Sequence, residues 1–347
     1  MTAADREAAL DAAIDAALDR LADRMARHGG SLADLGQAIA RAGRGGKRLR
    51  PRLVLRAFHA AGGTNSPALL PTATAFELLH TAFVIHDDLI DDDTVRRGML
   101  NVAGEFCARA MADGADAAEA AAVGRAAAVL AGDVLLHETH MVLARAPLAD
   151  PLAERLRDLI DQAVLVSAAG ELADVEQDLR TQAPSLEEAL ATSHDKTAVY
   201  SFSAPLRAGA LLAGADADVD AALNRCGARL GLAFQLVDDL LGAFGSIDQA
   251  GRESGADLTA GKHTPLVARA REICEWPAIG GALALAPTGA VALREAQEAL
   301  TDSGVRRDVE QLAHRLLAEC RADAHGVNDD LAALIHEVAA MIVERMP

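Results

Sequence analysis

FELLHTAFVIHDDLIDDDTVRRG, residues 76–98, joins an apolar run to five aspartates and two arginines. Wound at 3.6 residues per turn, FELLHTAFVI is apolar on most sides, which is the pattern of a helix inside a core rather than on a surface. The aspartates follow at the C-terminal end of that helix, where the macrodipole favours cations and disfavours carboxylates. A solvated acidic terminus is the simpler reading of a charge run, but the position argues against it. A core helix ending in aspartates directs them toward a cavity more readily than onto open surface. Clustered carboxylates also repel one another, so this stretch predicts that something of opposite charge completes it.

The helical pattern extends outward in both directions. It covers about 3–27, 31–42, 69–92, 116–145, 151–180, 196–213 and 217–244, then shorter helices to 345. Breakers separate these runs: AGRGG at 42–46, GGTNSP at 62–67, APLADP at 146–151, TQAPS at 181–185 and GADAD at 214–218. No alternation of β-branched residues persists long enough to predict a sheet. The segment WPAIGGALALAPTGA, 276–290, reads as a surface excursion or a loose helical connection. Hydrophobic residues make up 51% of the 347 and aromatics only 3%, with alanine prominent throughout. Alanine is the best helix former. The expectation is an all-α fold, one large helical bundle forming a single domain over 1–347.

The formal net charge is −18, so the basic footprint of a nucleic-acid binder is missing. An anionic ligand would have to be met by local cations or by metal ions. Cys107, Cys226, Cys274 and Cys320 are scattered and form no CxxC pair, which reads as reduced thiols in a cytoplasmic protein. The N-terminal run is an amphipathic helix of mixed charge without the apolar core of a signal peptide. No stretch of about 18 apolar residues lacks charge or clustered glycine, so no membrane span is expected. Of 33 basic residues only Lys47, Lys196 and Lys262 are lysine, and the other thirty are arginine. Lysine acts as a compact point charge toward phosphate, whereas arginine is a planar fork. All three lysines sit in polar or glycine-bearing segments suited to reaching an anion.

Within HDDLIDDDTVRRG, Asp87 and Asp91 stand four apart and share a helix face, about 6 Å apart along the axis. That spacing lets two carboxylates share magnesium ions, which complete their shells with water and substrate phosphates. Asp88 points about 100° away and reads as a supporting group or a partner for a cation. Asp92 and Asp93 fall at the helix end. A second acidic pair, Asp238 and Asp239, follows an apolar run in FQLVDDLLGAFG, but the position four beyond Asp238 is Gly242. Basic groups gather in GRGGKRLRPRL (Lys47, Arg48, Arg50, Arg52), in HDKTAVYSFSAPL (Lys196) and in GRESGADLTAGKHTPL (Arg252, Lys262).

Taken in order, GGKRLRP, HDDLIDDDTVRRG, KTA, FQLVDDLL and GxxxGADLxxGKxTP resemble the trans-type isoprenyl (polyprenyl) diphosphate synthase family over roughly residues 40–345. The resemblance implies long, mostly antiparallel helices around a central cavity, and a homodimer. The reaction it implies is head-to-tail transfer of a prenyl group to isopentenyl diphosphate. Asp87 and Asp91, with Asp88 supporting, would hold magnesium on the allylic diphosphate, and Asp238 with Asp239 a further ion, three Mg2+ in all. Arg96, Lys196, Arg252 and Lys262 would bind the allylic diphosphate. Lys47, Arg50, His80 and Arg97 would bind isopentenyl diphosphate. Thr197 and Gln235, with the carbonyl of Lys196, would face the reacting carbons. Two departures from the family pattern stand out: Gly242 in place of an aspartate, and Arg252 where lysine is common.

Other readings fit less of the sequence. Glu77-Leu-Leu-His80 matches the Glu-x-x-His of di-iron bundles, but no second such motif accompanies it. His137-Glu138-Thr139-His140 has the wrong spacing for a zinc protease, because it is not HExxH. A class I terpene cyclase would not need the GGKRLRP and paired-arginine equipment. A regulatory subunit that kept the fold but lost activity is the non-enzymatic rival. Product length turns on the helix before Asp87. Phe83 facing the tail would stop it near fifteen carbons. Ala82 there would let it pass to Phe76, near twenty. The reading favours twenty, geranylgeranyl diphosphate, with farnesyl or a somewhat longer diphosphate as the alternative.

Overall fold

The computed structural model describes residues 2–179, 183–246, 254–273 and 275–347. The chain divides into two compact units, Met1–Arg157 with Leu211–Ala213, and Asp158–Ala210 with Gly214–Pro347. Both are helical, as the periodicity predicts.

The first unit contains α1 (Ala3–Ala26), α2 (Gly30–Gly43), α3 (Leu49–Ala60), α4 (Leu69–Ile90), α5 (Val102–Ala112) and α6 (Ala117–Arg145). Capping boxes start α1 (Thr2 with Asp5) and α6 (Asp116 with Glu119), each satisfying two backbone N–H groups that a helix start leaves open. Helix α4 carries the decisive stretch. It is buried over most of its circumference and packs against α3, α6 and α1. Its contact with α6 is close: a Cβ on Gly132 would stand 2.0 Å from the His86 imidazole, so only glycine admits that ring. Helix α6 is also the one described helix long and apolar enough to cross a membrane by length and composition, with 39% of its most apolar window buried. Within the unit it packs against α4 and α5, and its Glu138 takes a two-pronged hydrogen bond from Arg24 of α1.

Helix α4 ends at Ile90, two residues before the expected boundary at 92. Asp91 is its C-cap, yet the Asp91 N–H still donates to the Asp87 carbonyl at 2.9 Å, so the two keep their four-residue relation. Asp92 then adopts φ +58°. The Asp93 N–H reaches the Asp88 carbonyl (2.8 Å) and the Asp92 N–H that of Leu89 (3.3 Å). This is a Schellman turn with aspartate where glycine is usual. It feeds a feature the sequence did not predict, a minimal hairpin of β1 (Val95–Arg96) and β2 (Met99–Leu100). The two turn residues, Arg97 and Gly98, have φ +53° and +76°, the doubly left-handed turn whose twist suits a hairpin.

The second unit holds most of α7 (Asp150–Leu179), then α8 (Leu186–Ser193), a π-helical segment (His194–Ser203), most of α9 (Ala204–Leu212) and α10 (Ala217–Phe244). After these come α11 (Ala256–Thr259), α12 (Pro265–Arg271), α13 (Trp276–Leu285), α14 (Ala290–Asp302), α15 (Val305–Asp323) and α16 (Asp329–Val343). The uncharged 276–290 stretch is thus largely the short helix α13. Helix α10 packs against the π-helical segment, α15 and α16. The regular helix expected over 196–213 is instead widened to a π-helix up to Ser203. Pro205 has no N–H for the carbonyl four residues back, and the Ala204 N–H reaches five residues, to Val199. Three glycines make room for the wider turn. A Cβ on Gly170 of α7 would fall 2.3 Å from the Lys196 nitrogen. One on Gly231 of α10 would fall 2.4 Å from Ala198 Cα, and one on Gly227 2.4 Å from Ser203 Cα.

Candidate active site

In the first unit the hairpin folds Arg96 back onto the end of α4. Its Nε donates to Asp88 Oδ1 at 2.6 Å and its Nη2 to Asp87 Oδ2 at 3.3 Å. Asp88 is buried, which pushes its carboxyl up from the usual range, while the Arg96 guanidinium pulls the other way. Asp87 is half-buried and Asp91 exposed, so both are more accessible than Asp88. Asp88, a residue away from the Asp87–Asp91 pair, is the buried member and the nearer partner of Arg96. Arg96, expected on an anion, is held by two carboxylates in this state.

The glycine-rich loop before α3 converges on the same region. Gly45, Gly46 and Arg48 all have positive φ, 74°, 81° and 51°. Non-glycine residues in that conformation are uncommon and cluster where surrounding structure holds them. Arg48 is held firmly: buried, it donates to the Gly43 carbonyl at 2.6 Å and to Glu77 Oε1 at 2.8 Å, with Asp15 3.6 Å away. Sequence reading placed Arg48 in the basic cluster but missed this anchoring role. It also weighed Glu77 as a metal ligand, and the structure gives Glu77 to Arg48. Lys47 beside it is exposed and Arg50 half-buried. The Arg97 guanidinium lies against Gly46, 3.4 Å from where a Cβ would sit, so the GGKRLRP loop and the hairpin meet. His80 sits in the field of these groups. Burial first, then the charges of Arg50, Arg96, Arg97 and Arg48, hold its imidazole well below the ordinary value, so it is neutral at pH 7. The structure therefore gathers His80, Arg50, Arg96 and Arg97 as one cationic group around a neutral imidazole, suited to a polyanion.

In the second unit the π-helical segment presents Lys196 and Thr197. Lys196 Nζ donates to Glu171 Oε1 at 3.0 Å and to Asp174 Oδ2 at 2.8 Å, both on α7. Neither acid was singled out from the sequence. They fall within ELAD, residues 171–174, directly after the Gly170 that admits the Lys196 backbone. On α10, the Gln235 amide donates to Asp239 Oδ1 at 2.9 Å, and Asp239 is buried. Asp238, half-buried, instead accepts from Arg345 Nη2 at 2.9 Å. The two aspartates of the second motif thus have different surroundings, with Asp239 orienting Gln235. Gly242 is buried. Lys262 is exposed, its backbone N–H bonded to the Asp257 carbonyl at 3.1 Å. Arg252 lies outside the described residues.

Asp87, Asp91 and Asp238 offer only carboxylate oxygens, the donors of a hard divalent cation rather than of zinc or iron. Among the described residues no group of three or more His, Cys, Asp or Glu side chains could hold an ion by protein alone. A cation that takes one or two carboxylates and completes its shell with phosphate oxygens does not need such a group.

Comparison with known proteins gives this arrangement a family. The chain is 32% identical over 228 residues to a geranylgeranyl diphosphate synthase of Methanosarcina mazei, a match covering 66% of this chain and 64% of that protein's length. It is 34% identical over 229 residues to a farnesyl diphosphate synthase of Bacillus subtilis, covering 63% of this chain and 70% of that protein. Among solved structures, a geranylgeranyl pyrophosphate synthase of Corynebacterium glutamicum, complexed with isoprenyl diphosphate and magnesium, superimposes with a TM-score of 0.88 at 27% identity. That likeness covers 97% of this chain and 98% of the other. The Polyprenyl synthetase family model matches residues 33–277, a span that takes in the glycine-rich loop, both acidic motifs and all three lysines, and the chain belongs to that family.

Proposed function

We propose that this chain is a magnesium-dependent prenyltransferase. It would condense isopentenyl diphosphate head-to-tail with an allylic diphosphate to give a short-chain trans-polyprenyl diphosphate, geranylgeranyl diphosphate being the product. The observation that carries this reading is the first unit's arrangement: two carboxylates four apart at the C-terminal end of α4, beside a group of arginines around His80. An allylic diphosphate needs the first through a cation, and a second diphosphate needs the other. The relatives from Methanosarcina mazei and Sulfolobus acidocaldarius, both named geranylgeranyl diphosphate synthases, support the product.

Asp87, Asp91 and Asp238 would hold Mg2+, three ions in all, with Asp88 and Asp239 as supporting groups. The Mg2+ would supply Lewis-acid stabilisation of the departing diphosphate. The protein's own share is electrostatic. Arg96, Lys196, Arg252 and Lys262 would fix the allylic diphosphate, where leaving-group charge develops. Preorganised cations of this kind lower the barrier because they do not reorganise as the bond breaks. Lys47, Arg50 and Arg97 would hold isopentenyl diphosphate, with neutral His80 donating a hydrogen bond rather than a charge. The Lys196 carbonyl, the Thr197 hydroxyl and the Gln235 amide oxygen would stabilise positive charge on the allylic carbon. The double bond of isopentenyl diphosphate then attacks, and a proton leaves to the released diphosphate. No side-chain nucleophile is required.

The reading includes a single working domain over 1–347, a homodimer and a cytoplasmic location. Exposed Val123, Val129 and Leu130 on α6 support self-association, and Cys107, Cys226 and Cys320, all free thiols, support a reducing compartment. A farnesyl product is the second reading. Phe83, one turn before Asp87, is half-buried, whereas Ala82 and Phe76 are 0% and 1% exposed. One experiment tests both. The chain is incubated with Mg2+, isopentenyl diphosphate and allylic primers of five, ten and fifteen carbons, and product length is measured. Elongation of the fifteen-carbon primer supports the geranylgeranyl reading. Arrest at fifteen carbons supports the farnesyl reading, and no elongation of any primer overturns the enzyme.

A further inference from the structure

Asp238 has a partner that no sequence motif signals. Arg345, two residues beyond α16, donates from Nη2 to Asp238 Oδ1 at 2.9 Å. Its guanidinium also lies 4.3 Å from the centroid of the Phe234 ring, one helical turn before Asp238 on α10. The backbone around Arg345 is fixed as well. Arg306 of α15 donates to the Pro347 carbonyl at 2.7 Å and stacks over Phe244, the last residue of α10, at 4.6 Å. The segment 344–347 is thereby fastened to α10, and Arg345 is delivered to Asp238 by packing rather than by chance reach.

We propose that Arg345 belongs to the working site: it competes with the divalent cation for Asp238 and so sets the cation affinity of α10. The inference rests on the function proposed above, which makes Asp238 a cation ligand. A guanidinium is protonated at every accessible pH, so the competitor is always charged. Both side chains are part-exposed, 26% for Arg345 and 41% for Asp238, and an ion pair of that kind is weak enough for a cation to displace. Displacement does not cast the arginine loose, because the face of Phe234 continues to hold it. Gly242 makes the competition count. With Gly242 four residues beyond Asp238, α10 lacks the second carboxylate at that spacing that would retain a cation while Arg345 occupies the first. Freed from Asp238, the guanidinium stays beside α10 with its planar fork available to the phosphate oxygens the cation carries.

The test is a titration of the full chain, without substrate, with Mn2+ followed by electron paramagnetic resonance. Arg345→Ala and Arg345→Gln are expected to tighten the Asp238-dependent Mn2+ dissociation constant about fivefold, equivalent to about 1 kcal/mol. Adding Asp238→Asn to either variant is expected to remove the gain. Arg345→Gln keeps a planar amide over Phe234, so it decides the matter if the alanine variant unfolds. An unchanged or weakened constant in a folded Arg345 variant overturns the proposal, and so does a gain that survives Asp238→Asn. The elongation assay on the unaltered chain is read separately. Absence of any product overturns the prenyltransferase reading while leaving the Mn2+ titration to decide the competition.

Discussion

Arg48 and Glu77 show how one buried pair fixes the glycine-rich loop. Both side chains are under 10% exposed, and their contact is 2.8 Å. Removing one member leaves a buried charge without its partner, which costs about 3–5 kcal/mol. Arg48→Ala is expected to lower unfolding free energy by that amount in urea denaturation. Arg48→Met with Glu77→Leu, which removes both charges, should recover most of the loss. An equal loss in single and double variants would show that packing, not charge, anchors the loop. The neighbouring His80 makes a second prediction, through protons. Its folded imidazole is held well below 6.5, so below that value the unfolded chain binds a proton that the folded chain refuses. Stability contributed by neutral His80 is therefore complete above pH 6.5 and falls as pH drops through it. His80→Gln should flatten stability against pH on the acid side of 6.5, measured by thermal unfolding at a series of pH values. An unchanged slope would show that other groups carry the acid sensitivity.

At the scale of the elements, the sequence made the helices legible where local chemistry closes them. The glycine and proline breakers set the bounds of α1, α2, α4, α6, α7 and α10 within two residues of those observed, whereas α8, which the Ser185–Glu188 capping box starts, was not among the expected helices. It did not reveal the π-helical segment, because the widened turn depends on Gly170, Gly227 and Gly231, glycines in two other helices that leave room for it. Nor did it reveal the β1–β2 hairpin, whose strands are two residues each and owe their place to the Schellman turn at Asp92. These close approaches differ in kind, and the difference is measurable. Gly132 of α6 faces the His86 side chain, whereas Gly170 of α7 faces the Lys196 backbone. Each glycine to alanine change should destabilise by about 1–3 kcal/mol or more through overpacking. His86→Ala should rescue Gly132→Ala, because the obstructing ring can be removed. Lys196→Ala should not rescue Gly170→Ala, because the backbone remains. Rescue of both in denaturant unfolding would refute a backbone contact at Gly170.

Across the whole molecule, three of the charged groups assigned to ligands are already paired within the chain. Arg96 is held by Asp87 and Asp88, Lys196 by Glu171 and Asp174, and Asp238 by Arg345. The residues assigned to ligands were legible as motifs. Their internal partners were not, since Glu171 lies 25 positions from Lys196 and Arg345 lies 107 from Asp238. With a net charge of −18, such pairing keeps the ligand-free protein from adding local imbalance to an overall excess. On the proposed function this also constrains how ligands enter. A cation would take carboxylates from Arg96 and from Arg345 and leave those arginines without these partners. A diphosphate would take Arg96 from Asp87 and Asp88, or Lys196 from Glu171 and Asp174, and leave the carboxylates exposed to one another. Bound together, cation and diphosphate would each replace the partner that the other removes. Stabilisation by Mg2+ with inorganic pyrophosphate should therefore exceed the sum of their separate effects. Ligand at about 100 times its dissociation constant stabilises by about 2.7 kcal/mol, enough for a clear rise in the thermal unfolding midpoint. The rises with Mg2+ alone and with pyrophosphate alone should add up to less than the joint one. Simple additivity of the two shifts would show that cation and diphosphate do not draw on the same ion pairs.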